Sequence, residues 1–376
     1  MKLRLLLLNI ISIITNFYSL LVRDRKKNIL IFRCGGLGDF LLETVAIHRL
    51  RESFPKEQYE FFYVHRSLNS ETIPLIIPVD HVIVFREESF WQIICSGVAI
   101  WKHRYSILVN MSDPRYPLMH RIIGLCNAQR KIAYDYPENR FSENEFEPFR
   151  KEYDCFVRFS WEHDHVMSMT LNLLKELTGK TFSLPEYKDY IKIHESVAGE
   201  KITIPNPYIV FSLFGSGDNH NLPDEIVNAL LLYCARKFPD YMLVITGAPK
   251  DKLHTQSLID YLSECADKLV DLCGKTSYCD LYKLAKNAVC VIGVDTGTTH
   301  FGALFSPHTF VLVRKHLPEL FWPYPEKFMK NVTIITAEQC QCDTQCLQCL
   351  RKGVITPCMR CLQIEHITKS IEEIIG

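Results

Sequence analysis

The 376-residue sequence has no surplus of charge of either sign: Lys plus Arg and Asp plus Glu each number 43. Without excess positive charge there is no global field to gather nucleic acid, so no nucleic-acid partner is expected and a polar ligand must be held by a local site. An uninterrupted membrane span is also missing. The stretch Leu5–Val22 carries no formal charge, but Asn9, Ser12, Thr15, Asn16 and Ser19 break it up, and no small-residue cleavage site follows. That argues against a cleaved signal peptide. The dinucleotide fingerprint is incomplete too. Gly36-x-Gly38 is followed by Leu41 where a third glycine would stand, and the run ending Val64-His65 offers no acid to a ribose. A nicotinamide-dependent dehydrogenase is therefore a weak reading.

What is present starts with bulk. Hydrophobic residues make up 47% and charged residues 23%, the balance of a globular protein, and the length suffices for two domains with full cores. The N-terminal apolar stretch is followed at once by Arg23, Arg25, Lys26 and Lys27. A basic cluster beside an apolar helix is drawn to anionic lipid and stays cytoplasmic. Residues 1–27 are expected to associate with the inner face of a bacterial cytoplasmic membrane. The alternative is a helix packed on the protein's own surface.

From Asn28 onward, short apolar runs alternate with helix-length segments. The runs NILIFRC, YEFFYVH, HVIVF, YSILVNM and RKIAY are spaced by candidates such as Leu41–Phe54 and Phe90–Arg104. The rhythm returns in PYIVFSLFG, YMLVITG, KLVDLCG, AVCVIGVD and HTFVLVR, with Pro223–Phe238, Asp251–Ala266 and Ser277–Asn287 between. Strands that are apolar along their whole length belong to parallel sheets covered on both faces. The expected fold class is α/β: two doubly wound, Rossmann-like domains over 28–195 and 205–376, facing a cleft. The stretch SVAGEKITIPNPY between them suits a linker. In such sheets ligands sit beyond the carboxyl ends of strands.

Two strand ends carry the chemistry. At the first, NILIF runs into Arg33, Cys34, Gly35, Gly36, Leu37, Gly38 and then Asp39. A carboxylate at a glycine turn can approach a ligand without obstruction and take a proton; equally, it can cap the helix that follows. At the second, VCVIGV ends in Asp295, Thr296, Gly297, Thr298, Thr299 and His300, opening an apolar helix. Helix N–H groups, a glycine and threonine hydroxyls form a cradle suited to phosphate, where Asp295 can accept from a hydroxyl and His300 can donate to an oxyanion. The competing reading is a helix cap with a structural histidine.

The two blocks resemble the signatures of glycosyltransferase family 9, the heptosyltransferase family. ILIFRCGGLGDFLLETVAIHRLRESFP looks like its opening, CGKTSYCDLYKLAKNAVCVIGVDTGTTHFGALF like its donor-site block, and VITGAPKDK like a weaker third element. The resemblance implies the two-domain GT-B architecture. It also implies transfer of a sugar, usually L-glycero-D-manno-heptose, from an ADP-linked donor to a lipopolysaccharide acceptor with inversion. Asp39 then matches the family's base, with Gly35, Gly36 and Gly38 allowing close approach. Asp295, Thr296, Gly297, Thr298, Thr299 and His300 match the donor site. No cofactor is expected for the chemistry. One departure concerns the donor: where the family commonly has a lysine after PYIVFSLFG, this chain reads FGSGDNHNLPDE. Gly215, Ser216 and Gly217 still suit a phosphate-facing turn, and His220 falls near the lysine's place, with less charge for a diphosphate.

Of the 15 cysteines, Cys340, Cys342, Cys346, Cys349, Cys358 and Cys361 crowd the segment 340–361; the others read as buried packing in a reducing compartment. Two C-x-x-C pairs can close a thiolate site, so Cys346, Cys349, Cys358 and Cys361 are candidate ligands for a structural zinc or iron, or else ordinary packing residues. The resemblance also covers relatives that glycosylate autotransporter proteins and hold a cysteine-bound iron here. Three functions are thus open: a lipopolysaccharide glycosyltransferase, a protein heptosyltransferase with a structural metal, and a noncatalytic sugar-nucleotide-binding module.

Overall fold

A computed structural model describes residues 2–21, 26–66, 70–112, 117–135, 149–158, 164–197, 202–205, 207–215, 221–315, 321–340 and 355–376. The chain divides into two compact units, Met1–Leu184 and Pro185–Gly376. The helix Tyr187–Glu195, placed by sequence in the first domain, groups with the second unit. His194 is buried there, its Nε2 2.8 Å from the Tyr278 hydroxyl and its ring stacked on that tyrosine. A short amphipathic helix joins whichever surface accepts its apolar face, which local sequence does not state.

The first unit holds one six-stranded parallel sheet. Its strands are β1 (Lys27–Phe32), β2 (Tyr59–His65), β3 (His81–Val84), β4 (Ile107–Asn110), β5 (Lys131–Asp135) and β6 (Cys155–Arg158), in the order β3-β2-β1-β4-β5-β6. The second unit repeats the plan with β7 (Tyr208–Ser212), β8 (Met242–Ile245), β9 (Leu269–Asp271), β10 (Cys290–Val294), β11 (Thr309–Val313) and β12 (Val332–Thr336), ordered β12-β11-β10-β7-β8-β9. All pairings are parallel. The expected alternation of strands and helices is present, and β6 and β12 extend each sheet by one edge strand that the apolar-run pattern passed over. Both are only part-buried.

The central strands explain the stability of the arrangement. Leu30, Ile31 and Phe32 of β1 and Ile209, Val210 and Phe211 of β7 are fully buried. Each such side chain contributes about 1.5–3 kcal/mol relative to exposure. Helix ends follow local chemistry. Ser277 Oγ accepts from Asp280 N while Asp280 Oδ2 accepts from Ser277 N, a reciprocal cap that opens Tyr278–Asn287. The helix Val166–Thr178 stops at Gly179, whose φ of 68° lies in the left-handed region that favours glycine.

The N-terminal helix Lys2–Leu21 packs with its polar side inward. Ser12 and Ser19 are buried, Asn16 donates to the Leu125 carbonyl, and Asn9 accepts from Arg121. Among the described side chains of this helix Leu8 is the buried large apolar one; Leu6, Ile10, Ile13, Ile14, Phe17, Leu20 and Leu21 face outward. The helix thus rests on its own protein, the second of the two expectations, and presents apolar side chains to the exterior. Among the described residues no helix is long and apolar enough to cross a membrane.

Candidate functional site

A doubly wound sheet has one place where the chain, having built outward on one side, returns to build on the other; the diverging loops there leave a crevice. In the first unit this switch point lies between β1 and β4, and in the second between β10 and β7. Asp39 follows β1. Asp295–His300 follow β10, and Gly215 follows β7.

At the first switch point the helix begins at Leu37, earlier than the apolar periodicity predicts, so Asp39 occupies its third position. Its Oδ2 accepts from the Gly36 N–H at 2.7 Å, and Oδ1 lies 3.1 Å from Arg33 Nη2. Asp39 is thus a capping residue and remains partly exposed, at 20% of its side chain. Capping fixes the carboxylate's direction without burying it, so the two sequence readings are compatible. Arg33 is 7% exposed and is pinned by Met111 O at 2.6 Å and Glu43 Oε2 at 2.8 Å. A Cβ at Gly35 would stand 2.7 Å from both Arg33 Cζ and Asp39 Oδ2, so a side chain there would wedge this pair apart. Gly36 is the N-cap and Gly38 the second residue of the helix. The β4 end is tied in through Cys34 N–H to Ser112 Oγ, 2.8 Å. Burial pushes the Cys34 thiol up to about 12, which removes it as a nucleophile at neutral pH.

At the second switch point Thr296 caps the helix Gly297–Phe305. Its Oγ1 accepts from Thr299 N and meets Ser212 Oγ, at the end of β7, at 2.6 Å. Thr299 Oγ1 donates back to Val294 O at 2.6 Å. Gly293 permits this closeness, since a Cβ would collide with Thr299 Oγ1 and stand 2.8 Å from Ser212 O. Gly297 and Thr298 contribute first-turn N–H groups, which have no intrahelical acceptor. Asp295 accepts from the Trp322 indole at 2.9 Å. His300 is 4% exposed: Nδ1 lies 2.5 Å from the Tyr324 hydroxyl and Nε2 3.5 Å from Asp295 Oδ1. The ring stacks on Trp322 at 4.8 Å and 10°. Of the two sequence readings of His300, its burial and its Tyr324 contact favour the structural one.

Gly215 is buried, and its N–H donates to Asn221 Oδ1 at 2.7 Å. Ser216, Gly217 and His220 lie outside the described residues. Sequence reasoning missed Lys250. It sits in the middle of the short turn Pro249–Asp251 after β8 and donates from Nζ to Gly215 O at 3.2 Å, beside the turn where the family's lysine is absent from sequence. Its signal was the Lys in VITGAPKDK. Arg33 and Glu43 were missed as well; each is a charge inside an otherwise apolar run. Among the cysteines, Cys346 and Cys349 lie outside the described residues, Cys358 is buried in the apolar core of the second unit and Cys361 is exposed. No cluster of three or more potential ligands occurs among the described residues.

The profile of glycosyltransferase family 9 (heptosyltransferase) matches residues 47–351. The chain belongs to this family. It is a glycosyltransferase of GT-B fold. No curated protein matches at a significant level. Among solved structures it is similar to the Escherichia coli heptosyltransferase WaaC with ADP-2-deoxy-2-fluoro heptose (18% identity, 92% of this chain and 99% of that one, TM-score 0.62). A family 9 glycosyl transferase from Veillonella parvula aligns at 17% identity over 93% and 97%, TM-score 0.62. The Escherichia coli ADP-heptose lps heptosyltransferase II aligns at 13% over 92% and 98%, TM-score 0.62. At these identities the structural likeness establishes the fold alone. The profile match begins after Asp39, so the reading of Asp39 rests on its geometry and on the motif around it.

Proposed function

We propose that this glycosyltransferase moves a heptose from ADP-heptose to a hydroxyl of a lipopolysaccharide acceptor, with inversion at the anomeric carbon. The observation that carries the reading is Asp39. A partly exposed carboxylate stands at the switch point of its sheet, aimed by the Gly36 N–H and the Arg33 guanidinium. In the step, the acceptor hydroxyl gives its proton to Asp39 while its oxygen forms a bond to the anomeric carbon. The bond from that carbon to the diphosphate breaks, and its electron pair leaves with ADP. A transition state of oxocarbenium character is shared with glycosidases. Charge developing on the diphosphate is met by the N–H groups of Gly297 and Thr298, by the Thr296 turn, and by Lys250 in place of the absent lysine. Asp295, braced by Trp322 and His300, accepts from a donor hydroxyl. The choice of donor nucleotide is supported by WaaC, which is solved with ADP and with ADP-2-deoxy-2-fluoro heptose.

The exterior of Lys2–Leu21 supports placing this enzyme on the inner face of a bacterial cytoplasmic membrane. Ile10, Ile13, Phe17 and Leu20 repeat at three- and four-residue spacing on the outward side. Arg4 is exposed near one end, and Lys26 and Lys27 follow the other. Apolar residues rimmed by cations fit anionic lipid.

A thermal-shift panel of ADP-, GDP- and UDP-linked sugars tests the donor, since a ligand that binds only the folded state raises its melting temperature. ADP-heptose should stabilise the protein and release ADP when heptose-free lipopolysaccharide is added. A shift with another nucleotide sugar and none with ADP-heptose would overturn the donor assignment.

A further inference from the structure

We infer that Glu43 is a positioning residue for the transfer reaction: through Arg33 it decides how much of one positive charge Asp39 experiences. This inference rests on the reading of Asp39 as base. Glu43 is 1% exposed in the middle of a helix whose neighbouring side chains Phe40, Leu41, Leu42, Val45 and Ala46 are buried and apolar. A carboxyl in such a place costs stability, and an apolar residue of similar volume would serve packing better. Its two oxygens are treated unequally. Oε2 accepts from Arg33 Nε at 2.8 Å, whereas Oε1 has no hydrogen-bond partner among the described residues. Arg33 turns another edge of the same guanidinium to Asp39, at 3.1 Å. One cation is therefore shared by two carboxyls, one buried and one facing the crevice.

The groups around Glu43 are few. Arg33 approaches from the end of β1, Asp39 from Glu43's own helix, Tyr63 from β2 and Tyr134 from β5; the helix Val166–Thr178 brings the uncharged Thr170 against Tyr134. Burial raises both tyrosines above their ordinary value, so they stay neutral. Burial also outweighs the Arg33 charge at Glu43 and lifts its carboxyl to about 8. At neutral pH the carboxyl is mostly protonated, and Arg33 presents an undivided charge to Asp39. When Glu43 ionises, the guanidinium is divided between two anions, and its hold on Asp39 loosens. A carboxylate released from a full positive charge is a better general base.

The turnover number of the wild-type enzyme, followed as ADP released from ADP-heptose with heptose-free lipopolysaccharide, should rise several-fold with a midpoint near pH 8. Glu43→Gln keeps an oxygen on Arg33 Nε but never ionises, so its profile should lack that rise while ADP-heptose affinity stays within twofold. A Glu43→Gln profile that keeps the same midpoint overturns the inference. So does a wild-type turnover number that is level between pH 7 and 9, a result that needs no variant to fold. Failure of the base assignment itself reads differently: Asp39→Ala would then transfer sugar at the wild-type rate.

Discussion

Replacing Asp39 by asparagine separates catalysis from capping. The amide oxygen of asparagine can still accept from the Gly36 N–H, so the helix start at Leu37 is preserved; what is lost is charge and the capacity to take a proton. Loss of a general base costs about 10²–10⁴-fold in rate, which corresponds to about 3–5 kcal/mol of transition-state stabilisation. The stability change should be small. The ion pair with Arg33 is partly exposed on the Asp39 side, Arg33 keeps Met111 O, and loss of the Asp39 charge, which helps to raise Glu43, lets Glu43 ionise more readily beside Arg33. Pairs of that kind contribute about 0–1 kcal/mol, a melting shift of about 2–4 °C at most for a unit of this size. Single-turnover transfer from ADP-heptose, measured beside a thermal melt and an equilibrium donor titration, gives the three numbers needed. The expected pattern is a collapsed chemical step, a nearly unchanged melting temperature and an unchanged donor affinity. An Asp39→Asn enzyme that transfers within tenfold of wild type would show that Asp39 only caps the helix.

Three other outcomes follow from the same geometry. Asp295→Ala removes the acceptor held by the Trp322 indole, and Lys250→Ala removes the ammonium beside Gly215; each should weaken donor binding roughly tenfold or more, seen in KM more than in kcat, and unchanged donor titrations would remove both from the donor site. Phe17→Glu combined with Ile13→Glu should abolish co-sedimentation with phosphatidylglycerol vesicles while leaving ADP-heptose affinity intact, as should deletion of residues 1–27; retained sedimentation would sink the membrane assignment. Elemental analysis decides the cysteine segment: near-stoichiometric zinc or iron that is lost from Cys346→Ser with Cys349→Ser would support a metal site, and a metal-free, stably folded preparation would return these cysteines to packing.

Periodicity was enough to reveal two parallel α/β halves, because a strand buried on both faces must be apolar along its length and a covering helix must be long enough to span it. β1 and β10 were legible for that reason, and the residues after them were legible as site candidates because ligands of such sheets sit beyond the carboxyl ends of the strands. The edge strands β6 and β12 were not: β6 offers only the three apolar residues of CFVR, and β12 interrupts its run with threonines. Sequence also left Asp39 between cap and base, and His300 between donor and support. The fold supplies what sequence lacked about them: Asp39 caps with one oxygen and stays partly exposed, whereas His300 is buried between Tyr324, Trp322 and Asp295. The outward apolar side of Lys2–Leu21 could not be read from composition either, because an amphipathic helix docks by whichever side finds partners. Here Asn9, Asn16, Ser12 and Ser19 took the inside. Local pattern determines which elements form, since it depends on neighbours three or four residues apart. Which charge meets which is set by chain segments distant in sequence, and only the folded chain brings Met111 to Arg33, or Trp322 to Asp295.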